Sequence, residues 1–216
     1  MIRTGLLGGS FNPAHAAHRG ISRFALRLLG LDEVWWLVSP GNPLKNPDDM
    51  APLAARLAIA REMARGVPIV PTAIEQELGT RYTVDTLDML AGRYPKRRFI
   101  WLMGADNLAQ FHLWKDWRGI ARKTPIAVIS RPGYNDDART APAMAWLRRY
   151  VRPASQSRNW TEWRPRPVKI EGLPVADWML LDAGDVIVHL FRPEVRSFYN
   201  LERMWGFGEP AEAVRG

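Results

Sequence analysis

The sequence contains no cysteine among its 216 residues, which excludes both disulfide bonds and zinc sites held by thiolates. No apolar run approaches the roughly 20 residues that a membrane-spanning helix needs. The opening Met1-Ile2-Arg3 leads directly into an apolar stretch, without the pattern of a signal peptide. A composition of 47% hydrophobic and 24% charged residues is typical of a globular protein. We therefore expect a cytoplasmic protein that does not interact with membranes.

Acidic residues are few beside the basic ones, with 22 Asp and Glu against 30 Lys and Arg, which gives a net charge of +8. Such an excess suits either nucleic acids or small anionic substrates. Much of it lies between Arg148 and Lys169, where Trp160 and Trp163 are interleaved with arginines. This stretch is equally compatible with stacking on RNA bases and with a solvated linker that carries partly buried tryptophans.

Short apolar runs alternate with amphipathic segments over the first 130 residues or so, a pattern that predicts strands followed by helices. Repetition of this unit implies an α/β fold in which a doubly wound parallel sheet has helices on both faces. The predicted strands are 4–7, 33–39, 67–71, 98–103 and 126–130, and the predicted helices lie near 18–29, 52–65, 83–93 and 116–123. Ligands of such sheets bind beyond the carboxyl ends of the strands, so functional residues are expected directly after apolar runs.

The stretch GGSFNPAHAAH, residues 8–18, lies between the first predicted strand and the first predicted helix. Glycines let the backbone approach a ligand closely, and the N–H groups at the start of the next helix favour an anion. His15 and His18 are three residues apart and can donate hydrogen bonds to phosphoryl oxygens from the same side. Two glycines alone more often mark a turn, but their combination with the histidines favours a nucleotide site. The predicted nucleotide-binding residues here are Gly8, Gly9, Ser10, Phe11 and His18.

Four more candidate residues are expected at or near the ends of strands and the starts of helices. Gly104 and Asp106 follow strand 98–103, where the carboxylate is placed to bind a ribose hydroxyl, to help hold magnesium, or only to cap the next helix. Thr83 is expected to be the N-cap of its helix, with or without a ligand. Arg131 comes directly after a strand and before a Pro-Gly turn, a place suited to gripping a phosphate.

The loop GSFNPAHAAH resembles the nucleotidyltransferase superfamily signature G-x-F-x-P-x-H-x-G-H, with Ala17 in place of the last glycine, and specifically that of the bacterial nicotinate-nucleotide adenylyltransferases. The runs YTVDTL at 82–87 and RPGY at 131–134 are similar to further segments of that family. The resemblance covers about residues 1–165. It implies a Rossmann-like nucleotidyltransferase fold that transfers the adenylyl group of ATP, accompanied by Mg²⁺, to nicotinate mononucleotide. Adenylyl transfer to phosphopantetheine by the same fold is the runner-up, and residues 82–87 and 131–134 argue against it.

The same resemblance implies roles for individual residues. Lys45, in a Pro-x-x-Lys loop after the second strand, would neutralise phosphate charge, whereas in isolation it reads as a surface lysine. Trp114 would stack on the pyridine ring, although such aromatics are more often part of a core. The implied catalytic residues are His15, His18 and Lys45; those for ATP include Gly104 and Asp106; those for the nicotinate nucleotide are Thr83, Trp114 and Arg131.

The sequence changes character after about residue 164. The closing segment of the family, of the form Ile-Ser-Ser-Thr-x-Ile-Arg, is not found. Two β-rich runs joined at Ala-Gly-Asp within residues 177–191 predict a hairpin, and a helix is predicted to start at 192–194. Residues 177–205 resemble the C-terminal half of the ribosome-silencing factor (Iojap-like) family, which implies docking on the large ribosomal subunit.

We therefore expect three parts: a nucleotidyltransferase domain over 1–150, a basic Trp/Arg/Pro-rich linker over 151–167, and a silencing-factor-like fragment over 168–216 made of a small hairpin and a helix. Three functional outcomes stay open. They are adenylyl transfer, ribosome binding through residues 168–216, and a fusion in which one or both activities are lost. As an alternative to such a loss, the hairpin would complete the surface of the first domain in a new way.

Overall fold

The computed structural model describes residues 1–41, 50–129, 140–150, 154–162, 178–179 and 186–191. Its strands are β1 (Ile2–Gly9), β2 (Glu33–Val38), β3 (Ile69–Thr72), β4 (Arg97–Gly104), β5 (Ile126–Ile129), β6 (Trp178–Met179) and β7 (Val186–Phe191). Its α-helices are α1 (Ala16–Leu28), α2 (Leu53–Met63), α3 (Ile74–Leu78), α4 (Thr83–Arg93), α5 (Ala105–Gln110), α6 (Trp117–Lys123) and α7 (Met144–Leu147). Short 3₁₀ helices cover Phe111–Leu113, Arg148–Tyr150 and Ala154–Glu162. None of the helices in these ranges is long and apolar enough to cross a bilayer.

The strands form a single sheet in the order β3-β2-β1-β4-β5-β7-β6. β1 lies between β2 and β4 and is parallel to both, and β2–β3 and β4–β5 are also parallel. The predicted doubly wound parallel sheet is confirmed. Because side chains of a strand alternate between its faces, the buried residues divide into two clusters. Leu6 of β1 belongs to a cluster that includes α4, α5 and α6, and Leu7 to a cluster that includes α1 and Trp160.

The predicted C-terminal hairpin is also confirmed, since β6 pairs with β7 in the antiparallel direction. β7 in turn pairs with β5 in the parallel direction, from Ile126 opposite Val186 to Ile129 opposite His189. The hairpin therefore extends the sheet that carries the nucleotide loop. The helix predicted at 192–194 lies outside the described residues.

Two short helices at the carboxyl side of the sheet are absent from the predicted helix ranges, although one alternative for Asp106 is that it caps the second of them. α3 and α5 have five and six residues, fewer than two turns each. Hydrophobic periodicity needs a longer window to reveal a helix. Both follow a strand closely and begin at the edge of the sheet where ligands bind in this class of fold.

Part of the predicted basic linker packs against the end of α1. Trp160 is 1% exposed, and its indole Nε1 donates to the Leu29 carbonyl at 3.0 Å. Ser157 and Arg158 donate to the preceding carbonyls, those of Leu28 and Arg27. A fully buried indole is not available to stack on RNA bases. For Trp160 the structure therefore supports the alternative of a linker with buried tryptophans over that of stacking on RNA.

Candidate active site

The predicted nucleotide-binding residues lie at the carboxyl ends of two neighbouring strands. β1 ends at Gly9 and β4 ends at Gly104, and the two strands pair in parallel register with Leu7 opposite Leu102. The loop 10–15 therefore leaves the sheet beside the turn into α5. Gly104 is the extended N-cap of α5, and Asp106 lies in the first turn of that helix, so it does not serve as the cap. The structure thus brings the two predicted ATP segments to one edge.

His15 and His18 lie together at the start of α1. Their ring centroids are 4.0 Å apart, and the main-chain N–H of His15, the N-cap, donates to Nδ1 of His18 at 3.2 Å. In a neutral imidazole, a nitrogen that accepts a hydrogen bond leaves the proton on the other nitrogen. This bond thus favours a His18 ring with its proton on Nε2, where it can be donated to a phosphoryl oxygen.

Aromatic rings surround His18. Phe11 lies 4.6 Å and Trp36 6.0 Å from its ring centroid, and the two stack on each other at 5.2 Å. Phe11 is 1% exposed and has φ of 45°, an unusual backbone conformation for a bulky residue. The indole Nε1 of Trp36 donates to Ser22 Oγ at 2.7 Å, and Ser22 donates to the His18 carbonyl at 2.9 Å. Sequence reasoning missed Trp36 and Ser22, which lie in a strand and a helix without any motif.

The two glycines of the loop have different surroundings. A Cβ at Gly8 would lie 2.5 Å from Cη2 of Trp101, whereas the nearest described atoms to a Cβ at Gly9 are those of the Phe11 ring, from 3.5 Å. Gly8 is therefore required by the packing of the protein itself. Among the described residues, Gly9 has room for a methyl group.

Trp114, the residue expected to stack on a pyridine ring, is half-buried at the end of the 3₁₀ helix Phe111–Leu113. Its ring meets Trp101 edge-to-face at 6.1 Å and Phe111 at 5.5 Å. Trp101 thus touches both the nucleotide loop, at Gly8, and Trp114. The two predicted halves of the site share this one buried side chain.

Thr83 is the first residue of α4, and the N-cap is Tyr82, with extended φ and ψ of −116° and 141°. The expectation that Thr83 is the N-cap is wrong by one residue. The Tyr82 side chain makes no capping hydrogen bond, and the Tyr82 carbonyl accepts a hydrogen bond from the hydroxyl of Thr86 at 3.2 Å. The exposed ring of Tyr82 lies under the ammonium of Lys115, which pairs with Asp85.

A buried carboxylate lies between this helix and the end of β2. Glu75 of α3 is within hydrogen-bonding reach of the hydroxyls of Thr86, at 3.4 Å, and Ser39. Burial raises the pKa of the Glu75 carboxyl, and the hydrogen bonds from Ser39 and Thr86 oppose that rise. Glu75 therefore joins the end of β2 to the start of α4, and its ionised form is disfavoured by burial.

The guanidinium of Arg56 is a second charged group that sequence reasoning missed. Arg56 is 1% exposed and donates to the carbonyls of Ala51, Ser10 and Ser39, at 2.7, 2.5 and 2.8 Å. Burial lowers the pKa of its guanidinium from the usual value. Arg56 thus lies directly behind the nucleotide loop.

Two of the predicted site residues, Lys45 and Arg131, lie outside the described residues. Within the described ranges, no group of three or more His, Asp or Glu side chains is arranged to hold a metal ion. That part of the chain therefore contains no ready-made cage for a cation.

Comparison with known proteins gives a consistent result. The cytidylyltransferase-like family model matches residues 6–195. A probable nicotinate-nucleotide adenylyltransferase of Erythrobacter litoralis is 66% identical over 162 residues, 75% of this chain and 74% of the relative. One of Bradyrhizobium sp. is 51% identical over 176 residues, 81% of this chain and 92% of the relative. A solved structure, the nicotinic acid mononucleotide adenylyltransferase of Plasmodium falciparum complexed with NaAD, shares the fold with a TM-score of 0.56 at 17% identity, over 62% of this chain and 67% of that one.

Proposed function

The chain belongs to the cytidylyltransferase-like family and, within it, to the nicotinate-nucleotide adenylyltransferases, and from this membership we propose that it transfers the adenylyl group of ATP to nicotinate mononucleotide. The products are the deamido dinucleotide and pyrophosphate. The observation that carries the proposal is the loop 8–18, in which the rings of His15 and His18 lie together at the start of α1. At the other end of this loop Gly8 packs on Trp101, which contacts Trp114.

In this reaction a phosphate oxygen of nicotinate mononucleotide attacks the α-phosphorus of ATP, and the bond from that phosphorus to the pyrophosphate oxygen breaks. No protein nucleophile is needed, so the protein contributes by positioning the reactants and stabilising charge. His18 would donate from Nε2 to a phosphoryl oxygen, and His15, 4.0 Å away, would contact the triphosphate beside it. The main-chain N–H groups at the start of α1 add to the attraction for the anion.

The remaining assignments follow the predicted roles. Gly8, Gly9, Ser10, Phe11, Gly104 and Asp106 are proposed on the ATP side, and Lys45 as a cation that neutralises phosphate charge. Thr83, Trp114 and Arg131 are proposed for the nicotinate nucleotide. The half-buried ring of Trp114, fixed by its contacts with Trp101 and Phe111, supports a stacking role because a stacking partner must be held in one orientation.

Magnesium is proposed to enter with ATP. Mg²⁺ in nucleotide sites is commonly held by phosphate oxygens, waters and only one or two carboxylates. That arrangement agrees with the lack of a three-residue metal cluster in the described part of the chain. Asp106, in the first turn of α5 beside the loop, is the carboxylate that we propose near it. Dependence on ATP also favours the cytoplasm as the compartment.

Docking on the large ribosomal subunit through residues 168–216 finds no support in these relatives. The family match continues through residue 195, across β6 and β7, and β7 is paired with β5. The resemblance of this segment to silencing factors, and a junction between fused parts near residues 164–168, stay predictions. Co-sedimentation with large subunits at low salt tests the docking, because binding to RNA must weaken as salt rises.

The proposed activity is tested by pyrophosphate release from Mg-ATP and nicotinate mononucleotide. His18→Ala should lower turnover by a hundredfold or more, since loss of one charge-stabilising donor costs about 2.7–4 kcal/mol of barrier. Arg23→Ala, at an exposed position on the same helix, is the matched control and should retain wild-type turnover. An inactive wild type, or full activity in His18→Ala, would contradict the proposal. Nicotinamide mononucleotide and phosphopantetheine as alternative acceptors test the specificity.

A further inference from the structure

Arg56 is an arginine inside the protein whose donors meet main-chain carbonyls. Its Nε donates to the Ala51 carbonyl at 2.7 Å, and its Nη1 donates to the carbonyls of Ser10 and Ser39 at 2.5 and 2.8 Å. Arg56 lies about one helical turn after the start of α2, and its side chain is 1% exposed. None of the ion pairs among the described residues includes it.

Removing a cation from water is costly unless hydrogen bonds replace its hydration. A purely apolar residue would fill the same space without this cost, so the arrangement indicates that the hydrogen bonds themselves are needed. A guanidinium presents several N–H donors in a rigid planar fork, which an ammonium does not. Arg56 therefore fixes its three acceptors relative to one another.

The three acceptors belong to segments that surround the proposed ATP site. Ser10 is in the nucleotide loop, directly after β1, and Ser39 directly follows β2. Ala51 precedes α2, and its N–H donates to the Asn12 side chain at 3.2 Å. Arg56 thus holds the chain at Ser39 and Ala51, on either side of residues 42–49. It holds the nucleotide loop directly at Ser10, and Asn12 connects that loop to Ala51.

We infer that Arg56 is a positioning residue, which holds the nucleotide loop and the end of β2 at the separation that ATP requires without touching ATP itself. The inference rests on the proposed adenylyl transfer. It predicts a defect that is larger for ATP than for nicotinate mononucleotide, because Arg56 bonds directly to Ser10 and Ser39. Trp114 is held instead by Trp101 and Phe111, and the start of α4 is connected to Ser39 only indirectly, through Glu75.

The test compares Arg56→Lys and Arg56→Met with wild type in the pyrophosphate assay, at a temperature at which circular dichroism shows all three proteins folded. Arg56→Lys keeps the charge and loses the fork, and it guards against a methionine variant that fails to fold. For both variants we expect kcat/KM for ATP to fall about a hundredfold, the effect of a misplacement of about 1 Å, while KM for nicotinate mononucleotide changes less than threefold. Arg61→Met, at an exposed position on the same helix, should match wild type.

A merely structural role would lower the melting temperature and leave kcat and both KM values of the folded protein unchanged, and that result would overturn the inference. An equal rise in KM for both substrates would overturn it as well. Titration of wild type and Arg56→Lys with Mg-ATP by calorimetry, without the acceptor, separates the two proposals. Weaker ATP binding in the lysine variant supports the positioning role even if nicotinate mononucleotide proves to be the wrong acceptor. A wild type that binds no Mg-ATP would overturn both.

Discussion

Replacing Gly8 with alanine would place a methyl group 2.5 Å from Cη2 and 2.9 Å from Cζ2 of Trp101. Carbon atoms in contact prefer about 3.5–4.0 Å, so the ring or the strand must move by about 1 Å. Trp101 is 3% exposed and packs against Trp114, which leaves the ring little room. Overpacking of this kind costs about 1–3 kcal/mol. For a chain of this size each kcal/mol lowers Tm by about 2–4 °C, which gives a loss of about 2–12 °C.

Gly9→Ala is the matched control for this loss. The nearest atoms to its new methyl group are those of the Phe11 ring, at 3.5, 3.7 and 3.9 Å, which are ordinary contacts. Neither glycine has positive φ, so alanine is not strained in the backbone of either position. Without ligand, Gly9→Ala should unfold within about 2 °C of wild type, because its free energy of unfolding changes by less than about 0.5 kcal/mol.

In the presence of Mg-ATP, Gly9→Ala should lose part of the stabilisation by the ligand that Gly8→Ala keeps. If the triphosphate approaches the backbone at Gly9, a methyl group there weakens binding by about 5- to 150-fold, the equivalent of about 1–3 kcal/mol of overlap. Thermal denaturation followed by circular dichroism, with and without Mg-ATP, measures both effects. Equal melting temperatures for Gly8→Ala and wild type, or an equal loss in both variants, would refute the reasoning about the two glycines.

Two further predictions concern buried polar groups. Because burial raises the pKa of Glu75, its ionised form destabilises the fold, and this cost is absent below its ordinary value of 4.5 and grows as pH rises through the folded-state pKa. Glu75→Gln keeps an acceptor for Thr86 and does not ionise, so its melting temperature should rise relative to that of wild type between about pH 4 and about pH 8. A difference in melting temperature between the two proteins that does not change with pH would contradict this. Ser22→Ala leaves the buried Nε1 of Trp36 without its 2.7 Å partner and should lower the free energy of unfolding by about 1–3 kcal/mol in urea denaturation, more than Ser157→Ala, whose hydroxyl makes only a 3.4 Å contact. Equal midpoints for the two serine variants would show that the Trp36 hydrogen bond is unimportant.

The strands and the helices α1 and α4 were predictable from the sequence, because the apolar runs of the strands and the helical spacing of apolar residues in the two helices are local. The nucleotide loop was predictable for the same reason, since Gly8, His15 and His18 are close in the chain and need only one strand and one helix to be placed. Thr83 was misassigned by a single residue because propensity gives threonine an N-cap preference, whereas Tyr82 has the extended backbone of the N-cap.

Arg56, Trp36 and Ser22 could not be assigned roles from the sequence. Arg56 lies in a helix whose apolar residues show little periodicity, and it reads as an exposed cation. Its burial depends on the strand order, which brings the ends of β1 and β2 together above α2. The function of Ser22 depends likewise on Trp36, which is 14 residues away in the chain. Such roles arise from tertiary contacts and have no local signal.

The contact of Ser157, Arg158 and Trp160 with α1 also determines when this helix is completed during translation. A ribosome synthesises α1, with His18 near its first turn, long before it reaches residue 160, and 131 residues separate Trp160 from the Leu29 carbonyl that it caps. Until then the last carbonyls of α1 lack these donors. The helix that presents the histidines is thus completed late in translation, by residues that contain no part of the site.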